Sequence, residues 1–395
     1  MTRSARACFG TFRIAALCST TGLIVVLLVC GCSGAPASSE SVASTAAEPT
    51  GRSSLGSAPQ RAVGAAEVRR QVDLFLSPGG RYEELIRAVL VMVDGQPVVE
   101  HYGKNGGPDS TANIFSVTKS VMSMLIGIAI DDGHIGSTDQ TLAELLPTYV
   151  QEMAPGVAEI TLHQVLTMTG GIIDDDNAFN APALADDWIA AMVSTPLQSP
   201  AGTSFAYSSY GSHLLSAILV EATGKSVLDY AREKLFGPLG ISTEPAAQPT
   251  ANTFLGTQGE GVPGFGWPVD PKGHQTGYAY LRITPPDMAK LGQLYLDGGQ
   301  WHGHQVVPAT WVKESTSHLV DSDSTTLPGY GYQWWVGTAD SHQAFAAIGF
   351  AGQLVEVVPD LKLVVVVSSS DGIAAFNAMD FAAIVSYQIA PAVAG

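Results

Sequence analysis

The sequence predicts an α+β fold. A mostly antiparallel sheet, assembled from both ends of the domain, is flanked by helices, and a mainly helical region is inserted between the two sets of strands. Three observations carry this expectation. Strand-like runs rich in Val, Ile and aromatic residues occur at 87–102 and again at 332–368. Between them the apolar residues recur at helical spacing. Turn residues punctuate both regions, in keeping with 42 Gly and 23 Pro.

The chain of 395 residues is 46% hydrophobic and 14% charged, enough apolar material for a substantial core. Its net charge of −17 argues against a nucleic-acid partner, which needs a basic face. The four cysteines, Cys8, Cys18, Cys30 and Cys32, all precede residue 33. The remainder of the chain therefore has no disulfide, Cys-ligated metal or Cys nucleophile.

Arg3, Arg6 and Arg13 precede an apolar stretch from Ile14 to Val29, and no acid occurs before Glu40. That layout is a secretory signal. An uncleaved anchor, weakened by Ser19, Thr20, Thr21 and Gly22 within the stretch, and plain secretion are the alternatives. Leu28-Val29-Cys30-Gly31-Cys32 resembles a bacterial lipobox, with Cys30 an unusual occupant. The expected organisation is a lipoprotein signal over 1–31, a lipid-modified Cys32, a Ser/Ala-rich tether to residue 65 and a folded domain over 66–395. The helical insert spans about 138–270. The expected location is the cell envelope, outside the cytoplasm, with the membrane as partner through the lipid.

Within the domain, Ala65–Leu76 reads as a helix. Arg87–Val93 and Gln96–Tyr102 read as a hairpin around Asp94-Gly95, a pair suited to a type I′ turn. Helical patterns follow at Ser116–Ile130, Thr161–Met168, His213–Ala222, Val227–Phe236 and Pro286–Leu296, several of them ended by Gly or Gly-Pro. Strands are expected at Tyr332–Val336, Ala344–Ile348, Gln353–Val358 and Lys362–Ser368, and a last helix at Phe376–Ile389.

Three short stretches have chemical potential. In Ser116-Val117-Thr118-Lys119 the Ser and Lys lie one helical turn apart on one face. At a helix N-terminus the Ser N–H is free to meet developing negative charge, and a hydroxyl nucleophile needs a nearby base. The chain has eight lysines, and this is its one S-x-x-K. The plainer reading is a capping serine and a solvated lysine. In Tyr207-Ser208-Ser209 a phenol stands before a helix, where it can shuttle a proton if a cation is near; core packing is the alternative. In Ala347-Ile348-Gly349-Phe350-Ala351-Gly352 a Gly-rich break ends a strand, offering the Phe350 N–H as a second oxyanion donor, or simply a hairpin turn.

Together and in this order these stretches resemble the penicillin-recognising serine hydrolases: class C β-lactamases, DD-peptidases, β-lactamase-related esterases and 6-aminohexanoate-dimer hydrolases. Flanking text supports the likeness. Thr161–Gly171 is similar to that family's LLTMTSG segment, Pro200–Ser208 to PGxxFxYSN, Phe236–Gly240 to FxPLG, and Thr284–Ala289 to TAxDMA. The resemblance implies a β-lactamase/transpeptidase-like fold and acyl transfer through a Ser acyl-enzyme. It makes Ser116 the nucleophile, with Lys119 and Tyr207 sharing the proton transfers and the N–H groups of Ser116 and Phe350 forming the oxyanion hole. It implies no metal or organic cofactor.

The departures from the family pattern bear on substrate. Ser209 stands where the family usually has Asn, Ala347 where β-lactamases and DD-peptidases have Lys or His, and Ile348 where many have Thr. With Gly349 these residues would border the cleft. Lacking a cation for a substrate carboxylate, the site is expected to favour a small ester or amide, or a peptide-like substrate. β-Lactamase or DD-peptidase activity, and a non-catalytic envelope binding module on the same fold, are the alternatives. His302-Gly303-His304 reads as a surface turn rather than a metal site, Asp174-Asp175-Asp176 as a solvated loop, and Trp334-Trp335 as core. No G-x-S-x-G or H-E-x-x-H occurs.

Overall fold

The computed structural model describes residues 57–77, 80, 82–172, 185–244, 264–370 and 379–395. The signal segment, Cys32, most of the tether and the Asp174–Asp176 run lie outside them. The first helix, α1 (Ser57–Phe75), begins earlier than Ala65 and takes in the end of the Ser/Ala-rich segment. Strands β1 (Ile86–Val93) and β2 (Gln96–Tyr102) form the expected hairpin. Asp94 and Gly95 turn it with φ of 53° and 70°, the left-handed pair that a type I′ turn requires.

The short β3 (Ala112–Asn113) leads into α2 (Val117–Asp131). The helical region then holds α3 (Leu142–Leu145), α4 (Leu162–Leu166), α5 (Trp188–Val193), α6 (Ser209–Thr223) and α7 (Val227–Ala231). Local chemistry sets their ends. Thr141 with Glu144, and Thr161 with Gln164, form reciprocal capping boxes at α3 and α4, and Gly224 closes α6 in the left-handed conformation. After β4 (Arg282–Ile283) comes α8 (Pro285–Leu296), capped by Thr284. The hairpin β5 (Gln300–Trp301) and β6 (His304–Gln305) turns through His302 and Gly303, and α9 (Ala309–Ser315) follows.

The chain then returns to the sheet as β7 (Val320–Asp321), β8 (Gly329–Tyr330), β9 (Trp335–Ala339), β10 (His342–Gly349), β11 (Gln353–Val358) and β12 (Leu363–Ser369). Helices α10 (Met379–Ile384) and α11 (Ala390–Ala394) finish it, joined by a π-helical turn. The eight-stranded antiparallel sheet has the order β2-β1-β12-β11-β10-β9-β8-β7. It is built from both ends of the domain, as the sequence predicts.

Each sheet face carries its own core. Val355, Val357, Val364 and Val366 face α2 and α8. The alternate residues Leu354, Val358, Val365 and Val367 face α1 and the C-terminal helices. One expected strand is displaced. Tyr332–Trp334 are not extended, because Gln333 takes φ 63° and turns its flanking aromatics into the helix-side core. Regular pairing of β9 starts only at Trp335.

Candidate active site

The approach to α2 is a constrained turn. The buried Asn113 accepts a hydrogen bond from the Phe115 N–H on its own side-chain oxygen at 2.8 Å, and Phe115 adopts φ 46°. Ser116 then opens the helix, yet its side chain makes no capping bond. It is half-buried, whereas Lys119 one turn later is 1% exposed. A capping serine with a solvated lysine is therefore not what the chain builds. Lys119 Nζ instead donates to Ser116 Oγ at 3.1 Å and to the Tyr278 carbonyl at 2.9 Å, and lies 3.5 Å from Ser209 Oγ.

Tyr207 reaches the same point from another element. The Thr167–Gly171 turn interlocks with the strand-like run before α6: Ala206 N–H donates to the Met168 carbonyl and Ser208 N–H to its sulfur. Ser208 caps α6 through the Gly211 N–H. The Tyr207 ring is thereby held with its centroid 4.8 Å from Lys119 Nζ, a cation–π distance. Its other side stacks on Trp335 at 5.8 Å, with Tyr330 edge-on. Burial drives the Tyr330 phenol well above its ordinary pKa, with Tyr207 adding to the shift.

The third stretch follows β10. Gly349 comes so close to the turn before Ser116 that a Cβ there would sit 2.4 Å from the Ile114 carbonyl oxygen, so only glycine fits. This brings the start of the Phe350–Gly352 turn beside the residues leading into Ser116. Phe350 is 48% exposed and packs edge-on against Phe115. Ala351 takes φ 61°. The turn is pinned from below, where the Ser369 hydroxyl donates to the Ala351 carbonyl and Gln353 Nε2 donates to Ser369.

Ser116, Lys119, Tyr207, Ser209 and the Gly349–Phe350 junction thus converge. Ala347 is 1% exposed and lies on the sheet face toward α2, whereas Ile348 joins the core on the opposite face. Ile348 therefore does not share Ala347's surface. Trp334 is buried and stacked on Tyr295, but Trp335 belongs to the Tyr207 stack. Among the described residues no group of three or more His, Cys, Asp or Glu is placed to hold a metal.

The family model described as beta-lactamase matches residues 82–388. The chain belongs to the beta-lactamase family. It is 26% identical over 314 residues to penicillin-binding protein 4 of Amycolatopsis lactamdurans, covering 73% of this chain and 81% of the relative. It is 25% identical over 312 residues to the 6-aminohexanoate-dimer hydrolase of Paenarthrobacter ureafaciens, with 72% of each covered. A penicillin-binding protein homologue from Caulobacter crescentus superposes with a TM-score of 0.63 at 19% identity, over 84% of this chain and 97% of that one. The antiparallel sheet with its helices is accordingly a β-lactamase/transpeptidase-like fold.

Several supports of this beta-lactamase-family site have no short-range sequence signal. Tyr278 serves Lys119 through a backbone carbonyl, which any residue supplies. Gln333 ties three helices together: its carbonyl accepts from Ser120, its Oε1 from Ser212, and its Nε2 donates to the carbonyls of Val165 and Leu166 at the end of α4. The positive φ at Phe115, Met168 and Gln333 falls on non-glycine residues, where sequence offers no warning.

Proposed function

We propose that the protein is an envelope-anchored serine hydrolase that cleaves an ester or amide through a Ser116 acyl-enzyme. The observation that carries the reading is the buried Lys119 Nζ, 3.1 Å from Ser116 Oγ and close under the Tyr207 ring. In this reaction Ser116 Oγ attacks the substrate carbonyl as its proton passes to the Lys119–Tyr207 pair. The N–H groups of Ser116 and Phe350 receive the oxyanion. Collapse returns the proton to the leaving alcohol or amine. Water then repeats the sequence on the acyl-enzyme and releases the acid.

The curated relatives support an acyl substrate of amide or peptide-like kind. The absence of a cation at Ala347 favours substrates without an essential carboxylate over β-lactams and D-Ala-D-Ala termini. A binding module with no chemistry would have no need to bury Lys119 against Ser116. A fluorophosphonate probe tests the reading. Mass spectrometry should find the adduct on the Ser116 peptide and none in Ser116→Ala. An adduct on another serine, or none in the wild type, rejects it.

The anchor rests on the sequence: basic residues before Ile14–Val29, the Gly31-Cys32 junction and the Ser/Ala-rich tether. Globomycin should block processing, and Cys32→Ser should leave the membrane fraction. Unchanged fractionation of that variant rejects lipid attachment.

A further inference from the structure

A second buried polar cluster lies behind the site, on the segment that supplies the Tyr278 carbonyl. His213 in α6 and Asp270 have fully buried side chains, with His213 Nε2 3.3 Å from Asp270 Oδ2. The Gly277 N–H donates to His213 Nδ1 at 3.1 Å. A backbone N–H can only donate, so Nδ1 is the bare nitrogen, and the ring proton sits on Nε2 facing Asp270. Burial holds His213 neutral against the pull of Asp270. Asp270 also accepts from the N–H groups of Lys272 and His274 and from His274 Nδ1, which shapes the turn before Gly277. Desolvation raises the carboxyl's pKa, but the His213 and His274 side chains outweigh it and keep the carboxyl below its ordinary range.

The backbone at Gly277 lies flat on α6. A Cβ there would stand 2.4 Å from the Ser212 carbonyl oxygen and 3.1 Å from the His213 Cα. The next residue is Tyr278, whose ring packs edge-on against His213 and whose carbonyl accepts from Lys119. One turn before His213 on the same helix is Ser209, within 3.5 Å of Lys119 Nζ. Helix α6 therefore reaches Lys119 along two routes: directly through Ser209, and through His213, Gly277 and the Tyr278 carbonyl.

We propose that His213 is a positioning residue for Lys119, acting through its Nδ1 bond to the Gly277 N–H, with Asp270 fixing the tautomer that leaves Nδ1 free to accept. The inference rests on Ser116 and Lys119 being the reacting pair. If the carbonyl of Tyr278 drifts, Lys119 keeps its chemistry but loses its aim at Ser116 Oγ, and misplacement on the ångström scale costs up to about 100-fold in rate.

Two substitutions separate positioning from scaffolding. In His213→Asn the side-chain oxygen stands where Nδ1 stood and keeps the Gly277 bond while losing Asp270. In His213→Gln the amide reaches the Nε2 position and keeps Asp270 while losing Gly277. With p-nitrophenyl acetate, His213→Gln should lose about 10- to 100-fold in kcat with KM little changed, and His213→Asn should stay near the wild type. Gly277→Ala, which pushes the same backbone off α6, should repeat the Gln result. Thermal melts monitor the fold of each variant.

Equal kcat losses in the Asn and Gln variants, a loss confined to KM, or a folded Gly277→Ala enzyme with normal kcat overturns the proposal. Loss of a cooperative melt in all three makes the cluster a scaffold and also overturns it. Wild-type fluorophosphonate labelling is run alongside. Its absence from Ser116 identifies a failure of the catalytic reading, and its presence with normal kcat in the Gln variant identifies a failure of this one.

Discussion

Lys119 Nζ lies 2.9 Å from the main-chain carbonyl of Tyr278, a residue 159 positions further along the chain. With Ser116 Oγ and Ser209 Oγ, this acceptor surrounds a single nitrogen on three sides. One compact ammonium head group meets these oxygens, whereas a guanidinium is a planar fork on a longer stem. Lys119→Arg is expected to fail as a substitute despite keeping the charge. The measurement is kcat on a p-nitrophenyl ester, and an Arg variant within twofold of the wild type would show that placement here matters little.

Lys119→Ala and Tyr207→Phe should each lower turnover by about 10²- to 10⁴-fold, the usual cost of removing a general acid or base. The Tyr207 ring sits against Lys119 Nζ, and in the proposed mechanism the two share one proton path. The double variant should therefore lose less than the product of the single losses. A fully multiplicative double variant would mean two independent roles.

The proposed substrate preference rests on Ala347. A charged hydrogen bond contributes roughly 1.5–3 kcal/mol, and nothing at Ala347 can provide one. Short-acyl p-nitrophenyl esters should have a higher kcat/KM than nitrocefin in the wild type, and Ala347→Lys should move that ratio toward nitrocefin. The position is packed among Phe345, Val355 and Val357 on the helix-side face, so the longer side chain should also lower the melting temperature. A wild type that prefers nitrocefin would defeat the carboxylate argument.

Glu356 sets a pH dependence of stability. It lies in β11, fully buried, opposite Ala346 and Val365, and both its carboxyl oxygens lack a hydrogen-bond partner. Desolvation pushes its pKa well above the ordinary 4.5. The folded state therefore keeps a proton that the unfolded chain releases. Its contribution is intact below the unfolded pKa and is lost as pH rises through the folded one. Glu356→Gln should unfold with a smaller decline between mildly acidic and mildly alkaline pH, and the stability gap to the wild type should widen with pH. Parallel denaturant titrations check this; a constant gap contradicts it.

Gln333→Ala should destabilise the domain by about 1–2 kcal/mol, because it removes the amide that bonds the carbonyls of Val165 and Leu166 and the Ser212 hydroxyl, leaving them only the Met168 N–H, the residue 333 N–H and the Ser208 carbonyl. Denaturant unfolding measures the loss, and a change under about half a kilocalorie would show that these groups find other partners.

Much of this molecule was legible in local pattern. The β1–β2 hairpin was readable because Asp-Gly demands a particular turn, and β11 because Gln353–Val358 is a short apolar run between a Gly break and Pro359. Local pattern placed Ser116, Lys119 and Tyr207 each beside a helix start, but their convergence was implied by the family resemblance alone. What stayed hidden acts through the backbone or across long separations. Tyr278 contributes a carbonyl, Gln333 a left-handed bend within an aromatic run, and His213 and Asp270 a pairing of residues 57 positions apart. None of these has a periodicity. Ile348 illustrates the opposite difficulty: its place in a motif suggested the cleft, but strand alternation sends it to the other face of the sheet.

The placement of β12 beside β1 also constrains how the domain is made. Val89 pairs with Val367, and β12 separates the N-terminal hairpin from every other strand of the sheet. While the chain is being synthesised, β1 therefore presents an open, Val-rich edge until almost the last residues emerge, and the long-range closure makes folding slow. Until β12 arrives, that edge is the place in the sheet most open to pairing with a wrong strand.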